Sequence, residues 1–365
     1  GFYRPGRDPA DAAFAHIRGL EAAGRTEDAE KVRDMINQPM AVWIIQGTSA
    51  ETNPQVREVM RAAGELGQIP VFAAYNIPFR DCSQYSAGGA TSMREYHDWI
   101  VGVASAIGAG EAYVILEPDG LAIIPHATTV DGDPDWCRPG EADAATAEEE
   151  RYAMTRDAVA VLKAANPGTR VYLDGGHADW HPPREIATRL VRAGVEDADG
   201  FFLNVSNYVE TERQVGHGER VAKCAFWGLE GNDMWVCTDD DTFYRENVDP
   251  LIEEIGSDDD DGVPHFVIDT GRNGNGVWTP EEDYPDPMKW CNPPGRTLGP
   301  SPTTNTASPY ADAYLYVKVP GESDGACDRG LTDRGGVDPE WGIVDPDAGV
   351  WFREQVEVLV GATGQ

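Results

Sequence analysis

Seven apolar runs recur along the 365-residue chain, and each stops at polar or glycine residues. They are MAVWIIQG (40–47), IPVFAAYNIP (69–78), AYVILEPDGL (112–121), RVYLDGG (170–176), GFFLNVSNY (200–208), PHFVIDTGRNGNG (264–276) and AYLYVKVPGESDG (313–325). Runs this nearly continuous belong to strands covered on both faces, as in a parallel sheet flanked by helices. Helical patterns lie between most of them. PQVREVMRAAGELG, MREYHDWIVGVASAIG, EEERYAMTRDAVAVLKAAN and PREIATRLVRAGV carry apolar residues three and four apart. Strand–helix units joined by right-handed crossovers close into a barrel. The fold class expected is α/β, a TIM-like parallel (β/α) barrel of seven strands.

In such a barrel the site forms at the C-terminal ends of the strands, each giving a residue or two. Here those ends offer Tyr75 and Asp81, Glu117 and Asp119, Asp174 and His177, and Asn204 and Asn207. Asp269 and Arg272 follow, then Lys318, Glu322 and Asp324. A single carboxylate after a strand is commonly a solvated loop residue or a helix cap. Six of the seven strand ends carrying such residues, five of them with carboxylates, make a constellation. Glu117, ahead of Pro118, reads as a hydrogen-bonded wall residue, and Asp269 and Arg272 can be read as a buried supporting pair.

Composition removes several classes of function. Sixty-three acidic residues against 29 basic ones leave a net charge of −34, which excludes binding driven by nucleic-acid phosphates. No apolar run approaches the roughly 20 residues of a membrane helix, so no membrane partner is expected. Only five of the basic residues are lysine. An acidic, lysine-poor surface repels itself in dilute buffer and is screened in brine, and we read it as a halophile's. No signal segment heads these residues, so any export signal has been removed or was never cloned. Six cysteines without Cys-x2-Cys spacing suit disulfides outside the cytosol; 15 pairings are possible, and the sequential one is expected.

The chemistry follows from what is present. There is no nucleophile elbow, no phosphate-cradling glycine loop and no His-Glu-x-x-His. His177 and His181 are followed by Pro182 and Pro183, against a helical zinc pair, so neither metal nor cofactor is expected. Carboxylates combined with tryptophan point to sugar. Glycosidic hydrolysis needs one protonated acid for the leaving oxygen and one base or nucleophile on the opposite face. Trp43, Trp180 and Trp290 sit beside strand ends, where an indole can stack on a pyranose, whereas Trp99 lies within a helical pattern and reads as core.

The blocks YNIPFRDC, LEPDGL, YLDGGHADW, NVSNY, IDTGRNGNG, WCNPPGRTLG, PSPTTNT and VKVPGESDG occur in one order over nearly the whole chain. In this the sequence resembles glycoside hydrolase family 6, the inverting β-1,4-glucanases. The resemblance implies a distorted seven-stranded α/β barrel in a single catalytic domain over 1–365, with an extended acidic insertion at about 209–263. It implies a secreted, extracellular, monomeric cellulase acting on cellulose or cello-oligosaccharides. Endo action is favoured by the compact Cys291–Cys327 loop. The alternatives are an exo-acting cellobiohydrolase with a tunnel, another β-glucan or xylan as substrate, or a non-catalytic β-glucan-binding protein.

Residue by residue, the resemblance makes Asp119 the proton donor, Asp81 the group that raises its pKa, and Asp324 the base. Tyr75 matches a tyrosine that crowds the scissile sugar, and Asp174 a further acid near the donor. Lys318, Glu322, His177 and Asn207 match sugar contacts, and Trp43, Trp180 and Trp290 subsite tryptophans. Disulfides Cys82–Cys137 and Cys291–Cys327 carry over. Cys224 and Cys237 have no counterpart and are expected to form a third, local bridge. Ala87 stands where the family has a serine, with Ser83 and Ser86 nearby. The DDDT and SDDDDG runs read as solvated loop rather than as a calcium site, since they lack its spaced ligands.

Overall fold

A computed structural model describes residues 1–45, 47–83, 86–255 and 262–362 of the protein. Two helices, α1 (Ala12–Ala22) and α2 (Thr26–Ile36), precede the sheet. Seven parallel strands follow: β1 (Val42–Ile44), β2 (Val71–Ala74), β3 (Ala112–Leu116), β4 (Thr169–Asp174), β5 (Gly200–Leu203), β6 (His265–Asp269) and β7 (Ala311–Leu315). They pair in chain order, from β1 beside β2 to β6 beside β7. The sheet curls into a TIM-like half-barrel. Across the remaining gap the Ala41 N–H donates to the Tyr316 carbonyl at 2.9 Å. The Trp43 indole N–H donates to the Val317 carbonyl at 2.8 Å.

The four helical patterns form α3 (Ser49–Leu66), α4 (Met93–Ile107), α5 (Ala147–Ala165) and α6 (Pro183–Arg192). Local chemistry sets their ends. In α3 a Thr48–Glu51 capping box satisfies first-turn N–H groups, and Gly67 closes the helix in the left-handed conformation. A fifth crossover helix, α7 (Thr211–Leu229), joins β5 to β6. It occupies the first third of the segment read from the sequence as an acidic insertion.

Side chains alternate across the strands. Val71 and Ala73 of β2, Tyr113 and Ile115 of β3 and Tyr172 of β4 fill the barrel interior. Phe72, Ala74, Val114, Leu116, Val171 and Leu173 face the helices, where they meet Val56, Trp99, Val103 and Leu162. Both faces are apolar, which is why the strands read as continuous runs. Trp99 lies in this outer core.

The three disulfides are Cys82–Cys137, Cys224–Cys237 and Cys291–Cys327. Among the described residues no helix is long and apolar enough to cross a membrane. Residues 257–261 of the SDDDDG run, and the side chain of Ser83, lie outside the described residues.

Candidate active site

Strand β3 ends in a turn that its own sequence strains. Glu117 and Asp119 both take positive φ, 55° and 65°, a region that side chains with a Cβ disfavour. A Cβ at Gly120 would lie 2.6 Å from the Glu117 carbonyl, so only glycine fits there. The surroundings hold the turn in place. The buried Glu117 carboxylate accepts from the N–H groups of Asn76 and Ile77, at 2.8 and 2.9 Å. Arg151, buried on α5, donates to the carbonyls of Gly120, Ile123 and Pro78 at 2.7–3.0 Å. Glu117 is therefore a brace between two loops, and Asp119 is presented from a fixed backbone.

That carboxyl opens on a cleft of about 590 Å³ lined by Asp81, Asp324, Tyr75, Trp43, Trp180 and Trp290, among others. Burial pushes the Asp119 carboxyl well above the usual range, and the charges of Asp174 and Asp81 push it the same way. A hydrogen bond with Tyr75 opposes them. Asp174 is also raised by burial, but it accepts N–H bonds from Ala122, Leu121 and Gly176 at 2.7–3.0 Å. Those donors favour ionised Asp174, so the proton of the pair resides on Asp119. Asp81 is itself raised by burial, and its carboxylate accepts from the Ser86 N–H at 2.8 Å.

Asp324 has the opposite environment. Burial alone would raise its carboxyl, but Arg272 and Lys318 outweigh that and hold it below the ordinary carboxylate range. Arg272 donates both terminal nitrogens to it at 2.9 Å, Tyr208 its hydroxyl at 3.0 Å, and Asn292 its backbone N–H at 3.0 Å. Arg272 thus pairs with Asp324 and not with Asp269. Asp269 is satisfied by backbone N–H groups of Gly271, Ser206, Val317 and Lys318 at 2.9–3.2 Å. The supporting pair read from sequence is corrected: Asp269 braces the β6 and β7 ends, and Arg272 charges the site. One cleft therefore carries a carboxyl held protonated and a carboxylate held ionised.

The other residues singled out from sequence have defined places. Trp43 meets Tyr75 edge to face at 5.6 Å, and Trp180 stacks on His181 at 5.6 Å. His177, pushed down to about 4 by burial, is neutral and lines the cleft with Asn207, Lys318 and Glu322. The Lys318 ammonium donates to the Ser323 carbonyl at 3.0 Å. Burial raises Glu322. Asp174 lies beneath the floor and does not line the cleft. Ser86 and Ala87 line it where the serine departure was noted, and their carbonyls accept from Arg80.

Sequence reasoning missed Arg151, Tyr208, Asn292 and Trp136. The first three are buried partners whose role exists only once distant loops meet. Trp136 carried a signal, an aromatic next to Cys137 in DPDWCRPG. Among the described residues one group, Cys327, Asp338 and Asp345, has donor atoms close enough to share a metal ion. Its sulfur is in a disulfide and Asp338 is bonded to Arg329 at 2.6 Å, so the set does not suit a cation.

The sequence matches the profile of Glycosyl hydrolases family 6 over residues 7–363. It is 36% identical over 294 residues to Endoglucanase 1 of Streptomyces sp. (strain KSM-9), covering 80% of this chain and 65% of that protein. It is 27% identical over 351 residues to a probable 1,4-β-D-glucan cellobiohydrolase C of Aspergillus niger, covering 89% of this chain and 68% of that one. The chain thus spans about two thirds of these relatives. The solved structure of the endoglucanase Cel6 from Mycobacterium tuberculosis, in complex with a methyl-cellobiosyl-4-deoxy-4-thio-β-D-cellobioside, superposes with a TM-score of 0.71 at 33% identity. It covers 100% of this chain and 97% of that one. By sequence and by fold, the chain belongs to glycosyl hydrolase family 6.

Proposed function

We propose that the protein hydrolyses β-1,4-glucosidic bonds of cellulose and cello-oligosaccharides with inversion at the anomeric carbon. The observation that carries this is the opposed tuning of Asp119 and Asp324 in one tryptophan-lined cleft. Asp119 donates its proton to the leaving glycosidic oxygen. Asp174 and Asp81 keep that proton in place until then by making ionisation costly. Asp324 accepts the proton of the attacking water, directly or through a further water. Arg272 keeps it ionised, at the cost of some basicity.

Tyr75 lies against Asp119 and crowds the sugar ring there. Trp43, Trp180 and Trp290 are stacking platforms, and Lys318, Glu322, His177 and Asn207 fix hydroxyl groups. Endo action is the favoured mode, supported by relatives at 31–36% identity that are endoglucanases. Three disulfides support an extracellular site of action, and the charge of −34 supports a saline one. We read residues 1–365 as one catalytic unit acting as a monomer.

The test is hydrolysis of carboxymethylcellulose in molar salt, following viscosity and reducing ends together. A fast viscosity drop per bond cleaved is expected of endo action. Reducing ends released with little viscosity change would reassign the enzyme to exo action. Tight binding of cello-oligosaccharides without any hydrolysis would favour the binding protein instead.

A further inference from the structure

Two tryptophans are about half exposed, Trp136 at 50% and Trp235 at 53%. Trp235 is covered on one face by the Arg184 guanidinium, 4.6 Å from the ring centre, and lies away from the cleft. Trp136 lines the cleft. Among the described residues no aromatic ring or guanidinium packs on it. A half-exposed indole at the wall of the cleft offers apolar surface that water solvates poorly.

The backbone beneath it is held firmly. On one side the Asp135 N–H donates to the Ala127 carbonyl at 2.9 Å. The buried Asp135 carboxylate accepts from Arg189 at 3.0 Å. On the other side the Cys137 carbonyl accepts from the His126 N–H at 2.8 Å, and Cys137 is bridged to Cys82, next to Asp81. A platform set on such a pedestal loses little freedom when it binds. The same contacts say where along the cleft it stands. Arg189 also donates to the Ala122 carbonyl at 3.0 Å, and His181 bonds that same carbonyl at 2.9 Å. Trp180 stacks on His181. Trp43 instead is tied to Val317, beyond β7.

We infer that Trp136 is a further sugar platform, stacking on a glucosyl unit of longer β-glucan chains on Trp180's side of Asp119. This rests on the β-glucanase reading and adds a subsite to it. Chains too short to reach Trp136 gain nothing from it, so the inference concerns how the enzyme ranks substrates by length.

The experiment compares Trp136→Ala and Trp136→Phe with the unmodified protein on cellotriose to cellohexaose. It reads kcat/KM, and also Kd by calorimetry in an Asp119→Ala background. For Trp136→Ala, the cellohexaose-to-cellotriose ratio of kcat/KM should fall roughly tenfold, mostly through KM, with Kd for cellohexaose rising in parallel. Trp136→Phe should restore much of it. An unchanged ratio, or an equal loss at every length, would overturn the inference, the latter marking a structural role. If the unmodified protein cleaves none of the series, the hydrolase reading falls, and the Kd comparison still decides on Trp136.

Discussion

At the residue scale, the proposed acid and base are separated by their neighbours rather than by residue type. Asp119 and Asp324 are both aspartates at strand ends, yet one has carboxylates around it and the other has Arg272. Asp119→Ala should lower hydrolysis of cellohexaose at least 1,000-fold, an order of magnitude expected when an essential proton donor is removed. Cello-oligosaccharide binding by calorimetry should persist. The pH profile of kcat/KM gives a second check. On the proposed roles, activity should fall at high pH as Asp119 loses its proton. Asp81→Asn removes a nearby negative charge, so that limb should move to lower pH. Activity should likewise fall at low pH as Asp324 gains a proton. Arg272→Met removes the cation that keeps it ionised, so this limb should move to higher pH. The same change strands a buried carboxylate, and chemical denaturation should show a loss of about 3–5 kcal/mol. Limbs that stay put in both variants would mean these carboxylates do not set the profile.

At the scale of elements, each strand is a post whose far end is locked by polar contacts from its neighbours. Much of this was legible in sequence. Strands apolar on both faces leave continuous runs, and α3 to α6 leave clean three- and four-residue spacing. Helix α7 was hidden because His217 and Gln214 are buried among its apolar residues, which breaks the pattern. Many of the polar residues that line the cleft were legible through the blocks that follow the strands. Their partners were not, because Arg272 to Asp324 and Arg189 to Asp135 join residues 52 and 54 apart. The Cys224–Cys237 bridge ties the end of α7 to the loop after it, away from the cleft-lining residues. Replacing both cysteines by serine should cost about 3 kcal/mol by the chain-entropy argument. It should leave cleavage below the melting transition close to normal.

Another buried pair should make stability depend on pH. Asp345 is pushed up to about 7 by burial, with Asp338 beside it, while Asn292 donates to it at 2.8 Å. The folded state thus holds a proton that the unfolded chain releases near 4, and this stabilising proton is lost as pH rises toward 7. Asp345→Asn supplies a permanent amide donor, so its Tm should fall less between pH 5 and 8 than that of the unmodified protein. Parallel Tm curves would show that Asp345 does not carry the linkage.

At the scale of the whole molecule, the fold places the cleft and the surface carries the charge. A charge of −34 on a chain with only five lysines repels itself where it is not screened. Tm should therefore climb steeply from dilute buffer to molar salt, whereas a flat response would leave the acidic surface without a role in stability. With Asp119 as acid and Asp324 as base on opposite faces of one sugar, cleavage inverts the anomeric centre. This is tested most directly by a proton-NMR time course of cellohexaose cleavage in high salt, read before mutarotation. The new reducing ends should appear first as the α-anomer; β-anomer appearing first would rule out the opposite-face arrangement.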